Sequence, residues 1–248
     1  MSNKDTLKHL FSETVKGIIW KIVLDDQNEI LLLESRTEDK QTLFYGFDLK
    51  NQKLLFKELQ LEEKWFISLE GIINGVAVFQ GYENEFSPLK KGIIAYDTKE
   101  SKILWQNYTY TCERITNSGI IAYNSKIQPK KTELLETETG LLLKSIRQED
   151  LPAYSVLSNS IYNPSIIFGE NIQETRHQLI LGNLQVIASY EREEESLNQY
   201  LEVYQNEEII FRDKIQSDIQ KIAPDTFFIW IGKLVYIRNK SEIVSYLL

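Results

Sequence analysis

The sequence predicts an all-β chain of repeated four-stranded antiparallel sheets, and three observations predict it. Apolar residues come in short runs rich in Ile, Val, Tyr, Phe and Trp, each bounded by polar turn clusters. No segment shows a sustained i, i+3, i+4, i+7 apolar stripe, so the helices that parallel crossovers require are missing from the pattern. One strand–turn–strand unit also recurs along the 248 residues.

The elements follow in order. Asp5 to Glu13 is the best helical candidate and is short, while Leu7 to Lys16 is an alternative source of a closing strand. Four strands are then expected at 18–24, 29–34, 42–47 and 53–56, joined by short connections, which is a meander. Trp65 to Leu69 and Val76 to Phe79 flank Asn74-Gly75, a strong hairpin signal because both residues tolerate positive φ. Asn117-Ser118-Gly119 and Gly182-Asn183 mark similar turns further on.

The recurring unit is clearest at Gly92 to Trp105. Other copies lie at Phe44–Phe56, Thr132–Leu143, Tyr200–Phe211 and Leu234–Tyr246. A period of about 40 to 50 residues holding four strands is the signature of a β-propeller blade, because one twisted sheet cannot cover both its faces. Five blades are expected in one domain spanning 1–248, at about 15–60, 61–108, 109–149, 177–214 and 215–248. Asp150 to Arg176 does not fit five even blades. It is either a loop insertion or the remnant of a sixth, irregular blade around residues 150–176.

The segment Gly92 to Trp105, with its Tyr96-Asp97 corner running into Ile103-Leu104-Trp105, resembles the repeat of quinoprotein-type (PQQ-like) propellers. The chain is also similar to an uncharacterised bacterial family of unknown function, through Ile18-Ile19-Trp20, Trp65 to Glu70, Gln80-Gly81-Tyr82 and Lys91 to Asp97. The resemblance implies a propeller and carries no activity. Quinone binding is not expected: the quinoprotein dehydrogenases use more blades, a calcium ion and adjacent cysteines, and this chain has one cysteine. No cofactor is expected.

Composition removes several further classes. With 28 basic and 36 acidic residues the net charge is −8, so neither nucleic acid nor an anionic membrane is an expected partner. One cysteine excludes an intrachain disulfide, and with only His9 and His177 beside it a Cys/His zinc cage is not expected. No apolar run reaches spanning length and no signal-peptide pattern is evident, so a cytoplasmic location is expected.

Candidate chemistry is sparse. His177 reads as a polar-loop histidine, Asp25 to Glu29 as a hairpin turn rather than a calcium loop, and Glu191 to Glu195 as a solvated hairpin tip. Trp20, Trp65, Trp105 and Trp230 read as packing between blades, with Trp65 the least secure of them because it starts a strand. The residues expected to bind a ligand are Trp65, Tyr82, Phe86 and Arg36. No metal site and no catalytic set is expected. The expected function is a non-enzymatic binding or scaffold module for an unknown protein or small molecule. The alternative is a carbohydrate-active enzyme with carboxylates facing each other across a central funnel.

Overall fold

The computed structural model describes residues 7–84, 87–156, 158–222 and 226–248, and the side chains outside 83–91 among them. The described chain divides into two compact units, residues 16–159 and residues 1–15 with 160–248.

The chain opens with β1 (Lys8–Thr14), which belongs to the second of these units. The first unit then holds three successive meanders. Sheet one is β2 (Ile18–Asp25), β3 (Ile30–Arg36), β4 (Thr42–Asp48) and β5 (Lys53–Leu59). Sheet two is β6 (Ile67–Ile73), β7 (Val76–Asn84), β8 (Ser87–Asp97) and β9 (Lys102–Asn107). Sheet three is β10 (Tyr110–Thr116), β11 (Gly119–Asn124), β12 (Thr132–Leu135) and β13 (Leu142–Ile146). Within each, spatial order equals chain order and every pair is antiparallel.

Sheet two shows why the sheets stack. Side chains of a strand alternate between faces. Ala77 and Phe79 on β7, with Ile94 and Tyr96 on β8, pack on Ile30, Leu32 and Phe44 of sheet one. Val78 and Ile93, from the same two strands, pack on Cys112, Ile115, Ile120 and Ala122 of sheet three. Both faces of sheet two are therefore core. Phe79 meets Phe44 with ring centroids 4.6 Å apart and a tilt of 60°. The remaining face of sheet three, with Ile121, Leu134 and Ile146, is covered by Leu151 of a 3-10 turn over Gln148–Ala153 and by Tyr154, which follows it.

The second unit holds β14 (Ile161–Tyr162), β15 (Ser165–Ile167), β16 (Arg176–Leu181), β17 (Leu184–Glu193), β18 (Ser196–Gln205) and β19 (Glu208–Gln216). It is completed by β20 (Phe227–Trp230), β21 (Lys233–Arg238) and β22 (Glu242–Leu247). β16 to β19 form the fourth meander, and β20, β21 and β22 the fifth. The fifth has only three strands of its own, and β1 pairs antiparallel with β22 as the fourth. Val186, Ala188, Leu201 and Val203 of the fourth sheet pack on Phe227, Ile229, Leu234 and Tyr236 of the fifth.

The chain is thus all-β, five antiparallel sheets with the blade organisation of a β-propeller, and the five expected segments match the five sheets. One sequence expectation is corrected, and one choice left open in the sequence is narrowed. The helical candidate at 5–13 is strand from Lys8 onward, because a helix this short nucleates poorly while β22 offers a full ladder of hydrogen bonds. The segment Asp150 to Arg176 forms no sheet of its own among the described residues. It is an insertion whose two short strands extend existing sheets, β14 on β20 and β15 on β16.

The Asn74-Gly75 hairpin is as read, with φ of 51° and 82°. Gly75 N–H donates to Asp25 Oδ2 at 2.7 Å, so the first turn of sheet one is tied to the first turn of sheet two.

Phe79→Ala is expected to lower unfolding free energy by about 3–5 kcal/mol, because it opens a cavity between two sheets. Leu142→Ala, on a side chain 53% exposed, is expected to stay within about 0.5 kcal/mol. Urea denaturation of the two variants checks the contrast.

Candidate functional site

A hollow of about 1150 Å³ in the first unit lies where sheets one and two meet. Its walls come from the start of β2 (Lys16, Ile18, Trp20), the β3–β4 turn (Arg36 to Asp39), the residues leading into β6 (Trp65, Phe66) and Tyr82 of β7.

Each wall has a local cause. Gly17 adopts φ of +77°, and a Cβ there would lie 2.2 Å from the Arg36 carbonyl oxygen, so only glycine lets β2 enter against the end of β3. Further along β2, Ile19 and Lys21 pair with the consecutive residues Ser35 and Glu34, which leaves Trp20 as the extra residue of a β-bulge. A bulge re-aims its side chain. Trp20 is 65% exposed, and Ile18 beside it 45%. At the β3–β4 turn, Thr37 N–H donates to the Gln41 carbonyl, Gln41 N–H donates to Thr37 Oγ1, and Lys40 has a φ of 56°. This tight turn puts Glu38 and Asp39 on the rim. Before β6, Glu63 Oε1 accepts from the N–H groups of both Trp65 and Phe66 at 2.9 Å, which fixes the bend that presents them. Tyr82 N–H donates to the Phe66 carbonyl at 2.8 Å.

Arg36 holds this arrangement together. Its Nε and Nη2 donate to Glu34 Oε1, at 2.8 and 2.6 Å. Nη1 donates to Thr42 Oγ1 and the Trp65 carbonyl, and Nη2 also to the Ile67 carbonyl. A guanidinium has five N–H groups, and these five bonds engage all of them. The fully buried Glu34 uses its other oxygen to accept Leu69 N–H at 2.7 Å. One ion pair thus fastens β3 to three alternate residues, Trp65, Ile67 and Leu69, at the entry and start of β6. The same guanidinium lies 4.9 Å from the Trp65 ring centroid and braces that ring.

Lys16 forms an ion pair with Glu58 Oε2 at 2.5 Å, and its backbone N–H donates to the Tyr45 hydroxyl. The Glu58 hydrogen bond and charge hold the Lys16 ammonium above its ordinary range. Burial pushes the Tyr45 phenol up. A second hollow of about 440 Å³ is lined by Glu62, Glu63 and Ile67, from the stretch of chain that gives Trp65 and Phe66 to the first, and by Gly81, Gly92, Ile94 and Tyr108.

Of the residues expected to bind a ligand, Trp65, Tyr82 and Arg36 come together in the lining of the larger hollow, and Phe86 lies outside the described residues. Arg36 has its donors engaged within the chain, so its part there is to position Trp65. Sequence reading missed Trp20, which it assigned to packing between blades. The bulge turns it outward instead. A signal existed in the repeat: β6 and β10 carry bulges between Leu69 and Gly71 and between Cys112 and Arg114, and the bulged residues there are Glu70 and Glu113. Trp20 occupies a position that its sister strands fill with charge.

The other tryptophans pack as read. Trp230 is fully buried, and Trp105 covers Gly140 and donates from Nε1 to the Thr137 carbonyl at 2.8 Å. His177 is not a loop residue. It is fully buried on β16 with Nε2 3.3 Å from the Tyr190 hydroxyl, because strand pairing of β16 with β15 and β17 encloses it. Asp25 to Glu29 is a hairpin turn in which Asp25 Oδ1 accepts from Gln27 and Asn28 N–H. In the Glu191 to Glu195 run, Glu191 pairs with Arg212 and Glu193 with Lys214, so it is a cross-strand ladder as well as a hairpin tip. Among the described residues no group of three or more His, Cys, Asp or Glu could hold a metal ion.

The family model described as "Domain of unknown function (DUF4905)" matches residues 24–105. That stretch contains Arg36, Trp65 and Tyr82 and stops short of Trp20, and the resemblance to a family of unknown function holds over it. No curated protein matches the chain. Among solved structures, BamB from Moraxella catarrhalis is 8% identical with a TM-score of 0.39, covering 94% of this chain and 86% of that one. TolB from Acinetobacter baumannii is 13% identical with a TM-score of 0.36, covering 81% and 43%. Raptor from Chaetomium thermophilum is 10% identical with a TM-score of 0.40, covering 98% and 29%. The chain spans most of the first and less than half of the other two. At these scores the fold stands on strand order and packing.

Removing the buried charge by Glu34→Ala leaves the Arg36 guanidinium without its carboxylate and is expected to cost about 3–5 kcal/mol. It is also expected to shift the tryptophan emission, since Trp65 loses its brace. Chemical denaturation followed by fluorescence reads both effects.

Proposed function

We propose that this chain is a non-catalytic binding module and that the hollow between sheets one and two is where it binds. One observation carries this reading: four aromatic side chains, Trp20, Trp65, Phe66 and Tyr82, line one open cavity, and Trp20 is 65% exposed. Burying a tryptophan is worth a great deal to a folded chain, so a tryptophan turned outward by a backbone bulge needs a reason. Rigid aromatics at low entropy cost are what binding surfaces favour.

The lining residues support binding over catalysis. They include no histidine, cysteine or serine among the described residues. The two carboxylates, Glu38 and Asp39, are sequence neighbours on one turn, so they do not flank a bound group from opposite sides as a glycosidase pair does. The chain's single cysteine, Cys112, is buried and has no second cysteine in the chain to bridge to, which suits the reducing cytoplasm we propose as its compartment.

A thermal-shift screen of neutral oligosaccharides, nucleotides and short peptides tests the proposal. At least one compound is expected to raise the melting temperature of the native chain and to lose that effect in Trp20→Ala, while the variant keeps its own melting temperature within a few degrees. Compounds that stabilise native chain and variant alike would place binding elsewhere and overturn the reading.

A further inference from the structure

We infer that the occupant of this hollow is an extended, arginine-bearing segment of a partner protein. The inference rests on the binding role proposed above and goes on to name the ligand's chemistry.

The first argument is charge. The lining contains two cations and two carboxylates of interest, and they are not equivalent. Lys16 is neutralised by Glu58 and Arg36 by Glu34, both carboxylates from outside the lining. Glu38 and Asp39 form no ion pair among the described residues, and Asp39 accepts one neutral hydrogen bond from Gln41 Nε2 at 2.8 Å. The electrostatic demand left open in the cavity is thus for positive charge. An anionic ligand would meet two uncompensated carboxylates and no free cation of the lining.

The second argument is the aromatic surface. A cation over an indole face is attracted by the ring quadrupole, and tryptophan is the strongest such partner. The chain already satisfies this attraction once, with the Arg36 guanidinium over Trp65. Trp20 offers the same kind of face to solvent. A guanidinium suits it better than an ammonium, being planar, weakly hydrated and able to pair a carboxylate bidentately while it stacks.

The third argument is extent. About 1150 Å³ exceeds what most single small molecules fill. The second hollow takes Glu62, Glu63 and Ile67 from the stretch of chain that also carries Trp65 and Phe66, with the exposed Glu62 and Tyr108 on its walls. Two hollows that both draw on residues 62–67, each with an aromatic ring and an acidic side chain, fit a chain carrying side chains at intervals.

Isothermal titration of the full chain with acetyl-Gly-Arg-Gly-Arg-Gly-amide tests this, beside the same peptide with citrulline in place of arginine and a neutral hexasaccharide. Citrulline keeps the shape and removes the charge. The arginine peptide is expected to bind at least about tenfold tighter than its citrulline counterpart, and to lose about tenfold in Trp20→Ala. Its affinity is expected to fall several-fold in the double variant Glu38→Gln with Asp39→Asn, and again as salt is raised. Equal affinity for the two peptides, or no arginine-peptide binding at millimolar concentration, overturns the inference. Should the hexasaccharide alone bind, and lose its affinity in Trp20→Ala, the cationic occupant falls while the hollow stands as a binding site. Should no binding depend on Trp20, both fall.

Discussion

A four-stranded sheet with apolar residues on both faces has nowhere to put them except against another sheet. That constraint governs the unit 16–159. In sheet two, Ala77 and Phe79 lean one way and Val78 the other, and each finds a neighbouring sheet. Buried aliphatic and aromatic side chains contribute about 1.5–3 kcal/mol apiece. A strand register slipped by one residue would exchange the two faces and misfit both neighbours at once. The same logic continues where a neighbour sheet is replaced: Leu151 and Tyr154 cover the outer face of sheet three.

Stacking by apolar contact fixes spacing but not vertical alignment, and polar ties between sheets supply that. The buried Glu34 with Arg36 grips the Trp65, Ile67 and Leu69 backbone at one end, and Asp25 receives Gly75 N–H at the other. Such ties are directional and lose energy quickly when misaligned. The second unit uses the same device, with Asp213 of β19 accepting from Tyr236 and Arg238 of β21. There, burial and the Asp213 carboxylate push the Tyr236 phenol well above its ordinary range, so it stays a donor. The candidate site is a consequence of this alignment. Trp65 sits where it does because Arg36 holds its carbonyl and braces its ring.

Much of this was legible in the sequence because strand alternation and turn chemistry are local. The Asn74-Gly75 hairpin needs positive φ at both residues, and the two expected strands of Phe44 to Phe56 end within a few residues of β4 and β5. Trp65 could be singled out from its place at a strand entry, and Tyr82 from an expected long loop, although Tyr82 lies within β7 and pairs with Lys90. Trp20 could not, because a bulge shifts one residue against the alternation and sequence carries no mark of it in one strand alone. Only comparison with Glu70 and Glu113 reveals that the position faces outward. The engagement of the Arg36 donors was not legible, since it depends on two carbonyls, of Trp65 and Ile67, distant in sequence. The strand character of Lys8–Thr14 was hidden for a related reason: its partner β22 lies at the far end of the chain. His177 was misread because its flanking polar residues suggest a loop, whereas strands on both sides bury it.

The central claim is that sheets one and two are held face to face by their apolar side chains, and a double-mutant cycle on Phe44 and Phe79 tests it most directly. The rings belong to different sheets and their centroids lie 4.6 Å apart. Stability of the native chain, Phe44→Leu, Phe79→Leu and the double variant, from urea denaturation, should show the two losses falling short of additivity by about 0.5–1.5 kcal/mol. Losses that simply add would mean the two sheets do not share a core, and the aligned cavity at their junction would lose its physical basis.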